Sequence, residues 1–129
     1  MQGCAVWLIG AITVAASLAR AQMMFPVQQA KPDPATLFLN QCGICHSVRQ
    51  GDGPRQGPNL FGVVGRRAGS LPAFKYSTGF AGADWVWDAP RLEVWLTNPQ
   101  AVIKGSVMTY RQADPSVRQT IIDWLKEQH

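Results

Sequence analysis

The sequence predicts an all-α domain folded around a large group that is not made of amino acids, and three observations carry that reading. Helical apolar spacing appears in three separate segments, each opened by an aspartate followed within two residues by a proline. Between the first two segments, from Ser47 to about Asp88, Gly and Pro recur too often for long helices or strands. At the head of that irregular stretch two cysteines and a histidine are packed into Cys42-Gly43-Ile44-Cys45-His46.

The elements follow in chain order. Residues 1–21 hold a block, Ala5 to Ala19, that is almost wholly apolar and closes on the small-x-small site Ala19-Arg20-Ala21. This resembles a secretory signal peptide cleaved after Ala21. Its first residues carry no Lys or Arg, so an uncleaved anchor is the alternative, although the run is shorter than the roughly 20 apolar residues of a spanning helix. Cleavage would remove Cys4 and leave Cys42 and Cys45 as the only thiols. Residues 22–33 mix Pro, Gln and small residues without periodicity and read as a linker or N-terminal arm. Residues 34–129 then make one domain, of the commonest domain size.

The first helix is expected from Pro34, with Asp33 as its N-cap. Phe38, Cys42 and Cys45 stand at i, i+4 and i+7, which places both thiols on one helical face. An irregular stretch as long as 47–88 inside a compact domain needs another source of core. A large buried ligand would supply it, lined by Leu60, Phe61, Val63, Leu71 and Phe74. The second helix is capped by Asp88, carries Pro90 in its first turn and a stripe of Leu92, Trp95 and Leu96, and stops at Asn98-Pro99. A loop, "QAVIKGSVMTY", then presents Met108. In the last helix Asp114 caps, Pro115 takes the first position, and Val117, Ile121, Trp124 and Leu125 share one side.

Charge excludes one partner class. Twelve basic against eight acidic residues make the chain mildly cationic, but no Lys/Arg run is suited to nucleic acid.

The Cys42-to-His46 run fits the c-type haem attachment signature. Thiols three residues apart on one face reach two vinyl groups on one side of a flat macrocycle, and the next residue brings its imidazole to the metal. Three rival uses compete. A thioredoxin-like redox pair needs a preceding strand and a helix start. Structural zinc needs four ligands, and beyond the pair only His46 and the terminal His129 remain. Two inert buried thiols are the third rival. A haem iron then needs a sixth ligand from a short inventory of Met23, Met24, Met108 and His129. Met23 and Met24 sit in the arm and His129 at a terminus where fraying is expected. Met108 lies in a Gly-containing loop between helices that can approach the opposite face. His/Met ligation raises the reduction potential and leaves iron no open site, which favours electron transfer over oxygen chemistry.

Several stretches beyond the attachment run carry a resemblance: "GPNLFGVVGRRAG" (57–69), "FKYS" (74–77), Trp87, "WLTNPQ" (95–100) and "GSVMTY" (105–110). From Phe38 onwards the chain is similar to class I cytochromes c, near the mitochondrial and bacterial cytochrome c2 branch. The resemblance implies a small cytochrome c fold, three to five helices wrapped around one haem c bound covalently through Cys42 and Cys45, with His46 and Met108 as metal ligands. It implies that the Pro58 carbonyl meets the other nitrogen of His46, and that Arg66, Tyr76, Trp87 and Ser106 hold the haem propionates. Trp95 stands where relatives place a tyrosine whose hydroxyl reaches the methionine sulfur, and its indole N–H is the available replacement. Phe80 stands in place of an asparagine linked to buried water, implying a drier pocket. Gln100 and Val107 replace lysines of the mitochondrial docking ring.

The expected function is that of a monomeric, monohaem one-electron carrier of the bacterial periplasm, and not an enzyme. Its donor would be a membrane cytochrome complex or a periplasmic dehydrogenase, and its acceptor an oxidase or reaction centre. Arg55, Lys75, Lys104 and Arg111 are candidate rim charges. Membrane contact is expected only if the leader is uncleaved. Two alternatives remain: a haem c subunit of a larger periplasmic dehydrogenase complex, and a haem enzyme with a displaceable Met108.

Overall fold

Three aspartate caps set the helical frame. The computed structural model describes residues 30–129, so the expectations for the leader and for Met23 and Met24 lie outside the described residues. Helix α1 spans Pro34–Gln41, and its N-cap Asp33 accepts a 3.0 Å bond from the Thr36 amide. Helix α2 spans Ala89–Thr97, with the Arg91 amide donating to Asp88 at 2.8 Å. Helix α4, Pro115–Lys126, is capped by Asp114, which accepts from the Ser116 amide at 2.7 Å. Each cap satisfies an amide that the helix itself leaves without a partner.

Two boundaries differ from the sequence expectation. Helix α1 stops at Gln41 and does not run on to Cys45. The Gly43 amide closes back on the carbonyls of Phe38 and Leu39, and the amides of Cys45 and His46 both return to the Cys42 carbonyl. A Cβ at position 43 would fall 2.7 Å from the Leu39 oxygen, so this tightening needs glycine. Tight turns, not a continuous helix, therefore bring the two thiols to the same side. The second difference is at Pro99, which ends α2 and also opens a short helix, α3 (Pro99–Val102), after one extended residue at Asn98. Proline lacks the N–H that an ongoing helix needs but suits a first turn, so one residue does both.

Helices α1, α2 and α4 meet in a corner closed by their own side chains. Phe38 and Ile121 are 0% exposed, and Phe38 lies against Trp124 with ring centroids 4.5 Å apart. Arg118 of α4 is also buried there. Its guanidinium pairs with Glu93 of α2 at 2.6 Å and donates to the carbonyls of Gln112 (2.7 Å) and Ala113 (2.9 Å). A buried cation with all these acceptors fixes the angle between α2 and α4.

The stretch 47–88 contains one short 3₁₀ turn, Thr78–Gly82. Its middle is laced to its far end: Ala68 donates to the Trp85 carbonyl, Trp87 to that of Arg66 and Gly65 to that of Trp87, at 2.7–2.9 Å. Buried Asn59 holds the 49–52 loop through two 2.8 Å bonds to the carbonyls of Arg49 and Asp52. Four α-helices and no strand occur among the described residues, as the all-α reading expects. Among them, no helix is long and apolar enough to cross a membrane.

Candidate cofactor site

Between the helical corner and the irregular stretch lies a cavity of about 450 Å³, whose wall draws on residues from Gln41 to Leu125. Its volume falls within the roughly 300–1,000 Å³ of pockets that enclose small molecules. Cys42, Cys45, His46 and Met108 all face into it, and so do Pro58, Arg66, Tyr76, Trp87, Trp95 and Ser106. Residues spread over most of the domain sequence are thus gathered on one surface.

His46 is held from behind. Its Nδ1 lies 2.8 Å from the Pro58 carbonyl oxygen. A carbonyl only accepts, so Nδ1 carries the proton and Nε2 keeps its lone pair free. Burial lowers the imidazole pKa and outweighs the opposing pull of the Pro58 carbonyl, so the ring stays neutral. Gly57 lets the backbone lie flat against that ring: a Cβ there would sit 2.2 Å from the His46 Cε1. The Gly57 amide donates to the Cys45 carbonyl at 2.8 Å and closes the corner.

On the thiol side, burial, reinforced by neighbouring Cys45, pushes the Cys42 pKa up to about 12. The two thiols are not joined to each other. A reactive redox pair depends on the opposite shift, toward thiolate.

Met108 is presented by the segment after α3. The Trp95 indole Nε1 donates to the Met108 sulfur at 3.1 Å, so the indole is the donor that the sequence offered in place of a tyrosine hydroxyl. The Met108 amide donates to Ser106 Oγ at 3.3 Å. Gln100 braces the loop from its base, donating to the Ser106 carbonyl and accepting from the Gly105 amide.

A further group of side chains gives the cavity a polar end. Arg66 is anchored on the carbonyls of Asn59 (2.7 Å) and Phe61 (3.2 Å), and Tyr76 accepts from the Leu71 amide at 3.4 Å. Ser77 was not singled out by sequence reasoning. Its hydroxyl is buried in the cavity wall without a hydrogen-bond partner, and the only signal for it was its place beside Tyr76 in "FKYS". A buried orphan hydroxyl has a cost that an oxygen-bearing ligand would remove.

A row of aromatic rings runs through the apolar wall. Phe74, Tyr76, Phe80, Trp95 and Trp87 follow one another with centroid spacings of 4.9, 4.9, 5.7 and 5.2 Å. Leu60, Val63 and Phe74 line the cavity as expected, but Phe61 and Leu71 do not. Gly62, at φ +64°, turns the chain between Phe61 and Val63. Leu71 sits at the start of a turn closed by the Phe74 amide, so only Phe74 of that pair reaches the wall. Gln100 also lies off the wall, whereas Val107 is on it.

The donor set suits haem c. Two thiols stand beside a neutral imidazole, a thioether approaches from another segment, aromatic and aliphatic side chains form the walls, and an arginine and an orphan hydroxyl mark a polar end. Helices around such a slot define a class of protein: a small all-α haem protein of the c type. No family model matches the chain. Among curated proteins, cytochrome c of Ginkgo biloba is 36% identical over 92 residues, which span 70% of this chain and 81% of that protein. Cytochrome c-550 of Novispirillum itersonii is 36% identical over 95 residues, 65% of this chain and 86% of that protein. Cytochrome c2 of Rhodomicrobium vannielii is 38% identical over 92 residues, 70% of this chain and 74% of that protein. The chain belongs to the class I cytochrome c family. It is an electron carrier and not an enzyme, with one covalently attached haem c.

Proposed function

We propose that this chain is a periplasmic one-electron carrier whose haem is tethered through Cys42 and Cys45 and held between His46 and Met108. One observation carries the reading: a neutral imidazole fixed at Nδ1 by Pro58 and a thioether fixed by Trp95 are presented to the same cavity. When bound, haem c would supply a one-electron redox centre, with His46 and Met108 as the residues that hold its metal.

The side chains of the chain do the rest. His46 offers the Nε2 lone pair in a fixed tautomer, so no proton has to leave it. Met108 would offer an uncharged sulfur to the metal, a donor that raises the reduction potential. The aromatic wall excludes water, and Arg66, Tyr76, Ser77, Trp87 and Ser106 offer partners to carboxylates that would otherwise be costly to bury. Burial lowers the Arg66 pKa, with nearby Tyr76 opposing the shift.

Partner contact is supported at the cavity edge. Ile44 and Val107 both line the cavity and are 78% and 75% exposed, giving an apolar contact zone. Arg55, Lys75 and Arg111 are exposed beside the lining residues Gln56, Tyr76 and Tyr110, and Lys104 is exposed two residues before Ser106. The acids are largely engaged elsewhere. Asp33, Asp88 and Asp114 cap helices, while Glu93 and Asp123 pair with Arg118 and Lys126. The rim charges therefore stay available to steer a redox partner with an acidic face, in the small, brief interface that such encounters use. A membrane cytochrome complex or periplasmic dehydrogenase is the proposed donor, and an oxidase or reaction centre the proposed acceptor. The apolar leader and the bacterial cytochrome c2 and c-550 relatives support the periplasmic assignment.

Replacing Met108 by Ala in the haem-loaded protein tests the reading. The reduction potential should fall and cyanide should bind readily, while an unchanged potential refutes the ligand assignment. N-terminal sequencing of mature protein tests export: a start at Gln22 marks cleavage, and retained Met1 marks an anchor.

A further inference from the structure

Tyr110 lies two residues beyond Met108, and its hydroxyl donates to Gln41 Oε1, on the last residue of α1, at 2.8 Å. Gln112 Nε2 donates to the same hydroxyl at 3.1 Å. The phenol thus uses its proton and a lone pair in opposite directions, and its ring cannot swing away without breaking one bond or the other. Gln112 is itself immobilised: its amide donates to the Leu96 carbonyl, its Oε1 accepts from the Asp114 amide, and its carbonyl accepts from Arg118. A relay therefore runs from the corner of α2 and α4, through Gln112 and Tyr110, to the end of α1. Gln41 and Tyr110 both belong to the cavity wall although 69 residues separate them.

The other ties on the Met108 loop are of a different kind. The Gln100 bonds to Ser106 and Gly105 and the Met108 bond to Ser106 all join residues at most six positions apart. They shape the loop without attaching it across the cavity. Trp95 reaches the Met108 sulfur itself, from α2. Gly105, at φ +80°, gives the loop a left-handed turn at its base. Only the Gln41–Tyr110 bond, among the hydrogen bonds of residues 103–112, spans from this loop to α1.

We propose that Tyr110 is a positioning residue: bridged between Gln41 and Gln112, it latches the Met108 loop to α1 and sets how often Met108 leaves its place. The proposal rests on the reading of Met108 as a ligand. A phenylalanine would fill the same space, so the latch resides in one hydroxyl. Lifting the loop away from α1 requires that bond to break, so its loss should speed the opening step.

The experiment uses haem-loaded protein and imidazole as a competing ligand, followed by stopped-flow absorbance. With Met108 in place, the observed rate should level off at high imidazole, at the rate of loop opening. Tyr110→Phe should raise that plateau about fivefold, the factor expected for one ordinary hydrogen bond. Gln41→Leu, at an exposed position, should do the same, and the double variant should go no further than either single one. Amide exchange should quicken in residues 103–112 and stay unchanged in α4. An unchanged plateau in Tyr110→Phe, effects that multiply in the double variant, or equal quickening of exchange in α4 would each overturn the latch. Met108→Ala supplies the separate check, since it should bind imidazole without any plateau. If it behaves like the parent protein, the ligand reading fails and the latch with it; if it loses the plateau while Tyr110→Phe changes nothing, the latch alone fails.

Discussion

The corner of α1, α2 and α4 and the cavity wall built by residues 47–88 are made from similar residue types and are filled in different ways. In the corner, Phe38, Ile121 and Ile122 are at most 1% exposed, and the one buried cation, Arg118, has carboxylate and carbonyl acceptors. In the wall, Phe74, Tyr76 and Phe80 are only half-buried, and Ser77 keeps a buried hydroxyl without a partner. The corner closes on its own side chains. The wall is a mould whose counterpart is not polypeptide, and so the two halves should respond differently to perturbation.

The strongest break in this comparison is Cys42→Ala with Cys45→Ala. Without a tether the wall loses its filling, and a domain of this size has little reserve of core. The variant should lack fixed tertiary structure, with near-UV circular dichroism lost and amides of 47–88 exchanging at once. A stable haem-free fold would show that the wall can close unaided. Next in size is Ile122→Ala, which strikes the corner in loaded protein at a buried residue off the cavity wall. It should cost about 2–5 kcal/mol in denaturant unfolding while leaving the haem spectrum unchanged.

Glu93→Ala should have a smaller effect. Arg118 would keep its carbonyl acceptors but lose its counter-ion, and because the Glu93 side chain is 37% exposed the cost should be about 1–2 kcal/mol. The smallest effect concerns the caps. Hydrogen bonds from Thr36 and Ser116 pull Asp33 and Asp114 below their ordinary pKa of 3.8. A carboxylate with a lowered folded-state pKa stabilises above its unfolded value, and that contribution is lost as pH falls through the folded value. Asp33→Asn with Asp114→Asn keeps the acceptors and removes the titration. The decline of melting temperature as pH falls below 3.8 should therefore be shallower than in the parent protein.

Local chemistry was legible in the sequence, and long-range closure was not. Asp33, Asp88 and Asp114 announced three helix starts because a cap acts within three residues of itself. The attachment run and the Gly57-Pro58 corner could be connected to His46 through the family resemblance. The end of α1 was misplaced because i, i+4, i+7 spacing cannot tell a helix from a tight turn that returns its amides to the preceding turn. Pro99 read only as a stop, since its second role depends on Asn98 becoming extended. Arg118 with Glu93, and Tyr110 with Gln41, escaped notice because the partners lie 25 and 69 residues apart and no local pattern pairs them. Ser77 was hidden for another reason: a serine in a loop is ordinary until burial leaves its hydroxyl unpartnered.

The Gly57-Pro58 corner lies flat against the back of His46, and the cavity wall is assembled from residues as distant as Gln41 and Leu125. A broad, rigid macrocycle cannot slip into such a slot once the chain has closed around it. On the proposed tether, attachment should precede folding during biogenesis, when only the neighbourhood of Cys42 to His46 is there to be recognised. Maturation and folding become successive events, and the finished shape is templated by a modification made before it existed.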